Sequence, residues 1–169
     1  MLFTRRISLA VTALLAVLIA VPSQASAASP VPFRATFNET FTAAPCSPVP
    51  SLCVVGVGSG VATHLGLTLE SSTVLVNLAS NAAPGCNSET HETILTAANG
   101  DQIVLHAPGQ SCATGPTTVA ALDFYVVTGG SGRFSGASGS GTVNVTVNLA
   151  SGTAVTTYTG TLSTPGSLR

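Results

Sequence analysis

A glycine-rich segment at residues 128–139 constrains the fold of this chain more than any other stretch. It reads TGGSGRFSGASG, so five of its twelve residues are glycine and four are serine or threonine. Glycine reaches positive φ without steric cost, and a closely specified turn is where a chain needs so much of it. Phe134 interrupts the glycines as an apolar anchor that would hold the turn against a core. The segment therefore predicts an ordered turn between two strands.

The first 27 residues have the organisation of a signal peptide. Arg5 and Arg6 supply a positive charge, residues 7–21 are apolar, and Ala25-Ser26-Ala27 has the small residues of a cleavage site. The apolar run of 15 residues is shorter than the roughly 20 that a membrane-spanning helix needs. We therefore expect a secreted, extracellular protein whose mature part, residues 28–169, is a single domain.

Charged residues are scarce in this mature part. Three arginines against six carboxylates give a net charge of −3, and the chain has no lysine. Nucleic-acid partners are excluded, because proteins that bind them carry basic patches. Pyridoxal-phosphate and P-loop nucleotide chemistry are excluded because both need a lysine. The sequence predicts no cofactor.

Four cysteines in an exported chain predict two disulfides, for which three pairings exist. Cys46 and Cys53 enclose a short loop with two prolines, which closes naturally on itself. This pairing leaves Cys86 with Cys112, which would bridge the two ends of a hairpin. A metal site of four thiolates is the alternative, but no C-x-x-C spacing supports it. We expect Cys46–Cys53 and Cys86–Cys112.

Alternating apolar and polar residues predict strands throughout the mature chain, and no segment has a helical period. The odd positions of residues 33–41 hold three phenylalanines, an alanine and Glu39. Residues 54–77 are also β-rich, with a break expected at GVGSG (56–60) and leucines at odd positions opposite Thr68 and Glu70. Asn99-Gly100 between two further runs is a strong hairpin signal.

These patterns give about eight strands with short connections, so the fold class is all-β. A sandwich and a closed barrel both fit the pattern. Closure removes exposed sheet edges, and this chain has almost no charged residues to protect open ones. We therefore expect a single eight-stranded antiparallel barrel.

The glycine segment resembles that of the allene oxide cyclases, which reads T-G-G-x-G-x-F-x-G-A-x-G, and the plant dirigent proteins have a similar G-G-x-G-x-F turn. The matching residues are Thr128, Gly129, Gly130, Gly132, Phe134, Gly136, Ala137 and Gly139. The resemblance implies an eight-stranded barrel, assembled as a trimer or dimer, around an apolar cavity.

The first strand carries part of the cyclase pattern. Asn38, Glu39 and Pro45 match, whereas Thr36 stands where the family has a charge-stabilising glutamate. The resemblance places Thr36 and Asn38 in the lumen and leaves the phenylalanines for a subunit contact. The two-residue period instead places Phe33, Phe37 and Glu39 on one apolar face, so which face lines the lumen stays open.

Four residues are candidates for a catalytic role: Asn38, Glu39, Asp123 and Tyr125. A buried, unpaired Glu39 would have a raised pKa and act as a proton donor; the alternative is a solvated carboxylate or one paired with an arginine. Asp123 and Tyr125 share one face of the most apolar strand and would line a cavity as acid and hydroxyl donor. The alternative for Asp123 is a structural hydrogen bond to an adjacent loop.

The three histidines, His64, His91 and His106, do not predict a metal site. No H-x-H or H-x-x-x-H spacing occurs, and each histidine falls on a separate strand.

The sequence thus predicts a secreted barrel that binds a small apolar organic molecule, with a cofactor-free isomerisation or cyclisation as its activity if it is an enzyme. The alternative is a non-catalytic structural or surface protein with a solid-packed barrel. An apolar cavity of a few hundred cubic ångströms with convergent polar groups would favour the first of these.

Overall fold

The computed structural model describes residues 29–163, which form a closed antiparallel barrel of eight strands. The strands are β1 (Val31–Cys46), β2 (Ser51–Ala62), β3 (Gly66–Asn77), β4 (Cys86–Ala97), β5 (Gln102–Ala113), β6 (Thr118–Gly130), β7 (Ser140–Asn148) and β8 (Thr153–Leu162). Each strand pairs with the next, and β8 pairs with β1. The prediction of an all-β, eight-stranded barrel is confirmed. The predicted signal peptide, residues 1–27, lies outside the described residues.

Strand β1 shows which face of the chain lines the barrel. Phe33, Phe37 and Glu39 are buried, whereas Thr36 and Asn38 are exposed on the outer surface. The pairing of β1 with β8 runs without a bulge from Val31 to Thr40, so the two-residue alternation is preserved. The two-residue alternation predicted the correct face, and the lumenal placement of Thr36 and Asn38 implied by the resemblance is wrong.

The expected break at residues 56–60 is also wrong, because these glycines lie within β2. The chain turns at residues 63–65 instead. Gly56, Gly58 and Gly60 face the interior, where neighbouring groups come close; a Cβ on Gly60 would lie 1.9 Å from the carbonyl oxygen of Thr36. Because glycine has no side chain, these positions allow groups of the neighbouring strands to approach β2 closely, and they do not mark a turn.

The polar positions of β3 face inward. Thr68, Glu70 and Ser72 are buried, whereas Leu67 and Leu69 are exposed on the outside. On β3, polar side chains therefore point into the lumen and leucines cover the outer surface. This is the reverse of the usual sheet of a water-soluble protein, in which apolar side chains face the core and polar ones face the solvent.

The glycine segment connects β6 to β7 and closes one end of the barrel. Gly132 and Gly136 have φ of 58° and 72°, and a 3₁₀ turn at Gly132–Phe134 brings Phe134 into the core, where it is 2% exposed. The guanidinium carbon of Arg133 lies 4.9 Å from the centroid of the Phe134 ring. The predicted role of Phe134 as an anchor is confirmed.

The half of the lumen next to this turn is packed solid. Phe33, Phe37, Tyr125 and Tyr158 form an edge-to-face aromatic cluster with ring centroids 5.9–6.4 Å apart. Such pairs contribute about 0.5–1.5 kcal/mol each beyond the burial of their apolar area. With the other buried apolar side chains around it, the aromatic cluster makes this half of the lumen a hydrophobic core.

Both predicted disulfides are present, at the opposite end of the barrel. Cys46–Cys53 closes the β1–β2 connection, and Cys86–Cys112 joins directly paired residues of β4 and β5. Among residues 29–163, no helix is long and apolar enough to cross a membrane.

Candidate functional site

The disulfide-linked half of the lumen holds a cavity of about 280 Å³. Its walls are mainly apolar and include Phe41, Val54, Val74, Val76, Val145 and Val147. The polar groups Glu39, Glu70, Glu89, His91, Thr156 and Tyr158 also line it. The volume lies just below the roughly 300–1,000 Å³ of typical small-molecule sites, and apolar walls with a few convergent polar groups are typical of such sites.

Glu39 and Glu70 form the first of two acid pairs in the lumen. Glu39 of β1 is paired with Gly58 of β2, and Gly58 is paired in turn with Glu70 of β3. A Cβ on Gly58 would lie 2.5 Å from Cγ of Glu39. The glycine therefore leaves the space in which the two carboxyl groups approach each other from strands on either side.

Hydrogen bonds fix both carboxyl groups of this pair. The Thr156 hydroxyl donates to Oε1 of Glu39, and the Tyr158 hydroxyl donates to Oε1 of Glu70. Glu70 Oε2 has no hydrogen-bond partner within the described residues. Burial, and next the neighbouring Glu39 carboxylate, raise the pKa of Glu70 to about 9, although the bond from Tyr158 opposes the shift. A pKa of about 9 means that Glu70 is protonated at neutral pH, and its second oxygen, Oε2, is buried.

Tyr158 is the structural link between the acid pair and the aromatic cluster. Its ring packs against Phe33 and Phe37, and its hydroxyl reaches Glu70. Burial, and then the charge of Glu70, raise the pKa of Tyr158 well above its usual value. The phenol is therefore a neutral hydrogen-bond donor that holds Glu70 in place.

Glu89 and Asp123 form the second acid pair, and it has the same construction. Glu89 of β4 is paired with Gly109 of β5, and Gly109 with Asp123 of β6. A Cβ on Gly109 would lie 1.9 Å from Oδ1 of Asp123. Two residues along β4, His91 faces the same pair, with its Nε2 atom 3.0 Å from Glu89 Oε1 and 3.4 Å from Asp123 Oδ2.

The groups of this second cluster perturb one another strongly. Asp123 is completely buried, and burial raises its pKa to about 7, with Glu89 adding to the shift and His91 opposing it. Burial lowers the pKa of His91, but the Glu89 and Asp123 carboxylates outweigh it, so the net shift is upward. Among residues 29–163, no lysine or arginine lines the cavity, and His91 is the only basic side chain that does.

The four predicted site residues fall in different places. Glu39 lines the cavity and is bonded to Thr156, so the alternative of a solvated or arginine-paired Glu39 is not found. Asp123 lies beside His91 and makes no hydrogen bond to a loop among residues 29–163. Tyr125 lies in the aromatic cluster, where burial raises its pKa to about 12 and its hydroxyl donates to the Thr161 carbonyl at 3.4 Å. Asn38 is outside the barrel.

Four ionisable residues of the lumen were not predicted as site residues: Glu70, Glu89, His91 and Tyr158. The available signal was the alternation of β3, where Thr68, Glu70 and Ser72 share one face. Nothing in the sequence alone indicates that Gly58 and Gly109 bring the acids of each pair together, because this depends on the register of three neighbouring strands.

Comparison with known proteins gives one informative likeness. No protein family model matches the sequence, and no curated protein matches it. The solved structure of a pterocarpan synthase dirigent protein is similar to this barrel, with a TM-score of 0.53, 10% sequence identity, and coverage of 86% of this chain and 94% of that one. The chain therefore has a dirigent-like barrel fold, as the resemblance implied, and the link to allene oxide cyclases stays a prediction.

Proposed function

We propose that this barrel binds a small, mainly apolar organic molecule in the open half of its lumen, and that Glu70 transfers a proton to it in an isomerisation or cyclisation. One observation carries this proposal: an apolar cavity of about 280 Å³ is lined by Glu70, a carboxyl group whose pKa of about 9 keeps it protonated at neutral pH. Perturbed acids in a cleft are typical of catalytic sites.

The chemistry follows from the hydrogen bonds of the first acid pair. Tyr158 occupies Oε1 of Glu70, so in this proposal the proton is on Oε2; this oxygen is buried, and the carboxyl group turns toward the cavity to donate the proton to an oxygen of the bound molecule. Protonation weakens the adjacent carbon–oxygen bond, and the Glu39 carboxylate stabilises the positive charge that develops on carbon. When the product forms, its released proton returns to the Glu39–Glu70 pair, which ends the cycle with the one proton it began with. The step uses only side chains of this protein.

The dirigent-like fold also supports the proposal. The similar solved structure is that of a pterocarpan synthase, so a barrel of this shape serves the synthesis of a small organic molecule in at least that protein. The competing function is that of a structural or surface protein. The aromatic cluster supports it for the closed half of the lumen, and the cavity opposes it for the other half.

Binding is tested with the neutral fluorescent probe N-phenyl-1-naphthylamine. We expect its emission to rise in the presence of the wild-type protein and not in the presence of Val147→Phe, which fills the cavity. Val126→Phe, on the outer surface of β6, is the matched control and should bind the probe as the wild type does. Equal binding to Val147→Phe would locate the probe elsewhere and remove the main support for a lumenal ligand.

Proton transfer is tested separately from binding. Mass spectrometry of small molecules that co-purify with the protein supplies candidate ligands, whose conversion is then followed with wild type and Glu70→Gln. We expect the variant to bind the ligand and to convert it at least about 100-fold more slowly, since general acid catalysis typically contributes 10²–10⁴-fold. Unchanged conversion would show that Glu70 is not the acid. A protein without any bound or converted molecule would support the structural function.

We also propose that the mature protein is extracellular and self-associates. Two disulfides fit an oxidising compartment. Val57, Val61, Leu67 and Leu69 are 56–73% exposed on the outer surface of β2 and β3, a contiguous apolar patch that a second copy would cover. In light scattering, the wild type should be an oligomer and the double variant Leu67→Ser/Leu69→Ser a monomer. N-terminal sequencing of the secreted chain should begin at residue 28.

A further inference from the structure

We infer that Glu89, His91 and Asp123 form a binding site for a divalent transition-metal ion, with Zn²⁺ the best match, in the wall of the lumenal cavity. This inference concerns the second acid pair and does not depend on the proposed function, which rests on Glu39 and Glu70.

The geometry of the three side chains fits one ion. One potential ligand atom from each residue lies within 4.8 Å of the other two. The two distances from His91 Nε2 are 3.0 Å to Glu89 Oε1 and 3.4 Å to Asp123 Oδ2. Two atoms that are each about 2.1 Å from a zinc ion lie about 3.4 Å apart at the tetrahedral angle and about 3.0 Å apart at a right angle. Each carboxylate oxygen therefore lies at a distance from His91 Nε2 that two ligands of one zinc ion would have, and all three atoms lie within 4.8 Å of one another.

Asp123 supplies an independent reason for a bound ion. It is 0% exposed, and neither of its carboxylate oxygens has a hydrogen-bond partner among residues 29–163. A buried carboxyl group without partners is costly, and structures rarely retain one without a ligand or a functional role. Gly109 adds to this, because the absence of a side chain there leaves the space that Asp123 occupies. A divalent ion would hold an Asp123 oxygen more closely than the 3.4 Å contact with His91 does, and it would offset the charge of two adjacent carboxylates.

The donor set and its position indicate the class of ion. One imidazole and two carboxylates suit zinc and similar borderline ions, whereas Mg²⁺ and Ca²⁺ prefer oxygen ligands alone. Glu89 and His91 line the cavity, so an ion reaches the site from the open end of the barrel. Three protein ligands leave a fourth tetrahedral position, which is the arrangement of catalytic zinc sites and would face a molecule bound in the lumen.

The test uses the full mature protein, freed of metal with EDTA and titrated calorimetrically with ZnCl₂ and, separately, with MgCl₂. We expect one Zn²⁺ per chain and much weaker binding of Mg²⁺. Asp123→Asn and His91→Gln should each lower the affinity for Zn²⁺ by about 100-fold or more, because each removes a ligand. His106→Gln is the matched control, since His106 forms an exposed pair with Glu92 that has no third ligand in the described part of the chain.

A glycine variant tests the geometry of the site without removing any of its three ligand side chains. Gly109→Ala keeps all three side chains but displaces Asp123, so it should lose Zn²⁺ binding, whereas Gly129→Ala, whose new Cβ would lie 3.9 Å from its nearest neighbour, should not. The chain has three histidines, and imidazole NMR signals of the wild type should shift on Zn²⁺ addition for His91 alone. A shift at His64 or His106, equal affinity for Asp123→Asn, or no binding by the wild type would each overturn the inference. The two proposals fail separately, because the Zn²⁺ titration needs no organic molecule and the N-phenyl-1-naphthylamine assay needs no metal ion.

Discussion

Replacement of Glu70 by glutamine is expected to stabilise the protein, and to do so more strongly as the pH rises. The pKa of Glu70 is about 9 in the folded protein against 4.5 for an unperturbed glutamate. Between these values the unfolded chain has released the proton that the folded chain still holds. The free energy of unfolding of the wild type therefore falls with pH from about 4.5 to about 9, because the unfolded state binds fewer protons. Below that window Glu70 is protonated in both states and has no such effect.

The magnitude follows from the width of the window. Each pH unit between the two pKa values costs about 1.4 kcal/mol. At pH 7.5, three units above the lower value, the wild type has lost about 4 kcal/mol through Glu70. Glutamine keeps the oxygen that accepts the hydrogen bond from Tyr158 and cannot ionise. The variant should therefore unfold about 12–16 °C higher at pH 7.5, at about 3–4 °C per kcal/mol for this size, and close to wild type at pH 4.5.

The assay is urea unfolding for the free energy and thermal unfolding for the melting temperature, both followed by circular dichroism at pH 4.5, 6, 7.5 and 9, with EDTA present. The difference between wild type and Glu70→Gln isolates Glu70 from the other acids of the lumen. Glu92→Gln is the matched control, because Glu92 lies on the outer surface beside His106. A difference that stays constant with pH would show that Glu70 has an ordinary pKa in the folded state. A variant less stable than wild type at pH 7.5 would refute the reasoning.

Three further predictions concern the fold. Reduction of the two disulfides should lower the melting temperature by more than about 10 °C, because their loops of 7 and 26 residues contribute about 2.5 and 3.5 kcal/mol in the chain-entropy model; unchanged melting with reductant would show that the core alone provides the stability. Gly58→Ala should destabilise the protein by about 1–3 kcal/mol in urea unfolding, because its new Cβ would overlap the Glu39 side chain. Gly129→Ala should cost under about 1 kcal/mol, and equal effects of the two variants would contradict the close contact between Gly58 and Glu39. Phe37→Ala, in the aromatic cluster, should lower the free energy of unfolding by about 3–5 kcal/mol in the same assay. Phe124→Ala should lower it much less, because Phe124 is 61% exposed on the outside of the barrel. Similar losses for the two variants would contradict the assignment of the lumenal face.

The fold was largely predictable because its signals are local. The alternation of β1, the hairpin at Asn99-Gly100 and the glycine segment around Phe134 each depend on a few consecutive residues. The disulfide pairing was also predictable, since Cys46 and Cys53 are close in sequence and only one partner then remains for Cys86. Strand count and closure followed from these signals together with the lack of charged residues to protect sheet edges.

The site was less predictable because it depends on contacts between strands. Glu39 was found from its own strand, where it follows Phe33 and Phe37 on one face. Its partner Glu70 is 31 positions away and meets it only because β1, β2 and β3 pair in one particular register, with Gly58 between the two acids. A glycine inside a strand has several interpretations, a break among them, and only the paired neighbours decide between them.

The distribution of carboxyl groups favours a functional lumen over a purely structural one. The mature chain has six carboxylates, and four of them, Glu39, Glu70, Glu89 and Asp123, are buried. The other two form pairs nearer the surface, Glu92 with His106 and Asp101 with Arg133. Apolar residues of similar volume in place of buried ionisable groups are often neutral or stabilising by about 1–4 kcal/mol. A barrel that served only as a scaffold would gain stability from such replacements. Yet this one keeps a glycine within each acid pair, which preserves the space that the carboxyl groups occupy. Such an arrangement is expected to cost stability, and the proton transfer and ion binding that we propose for the two pairs would each require it.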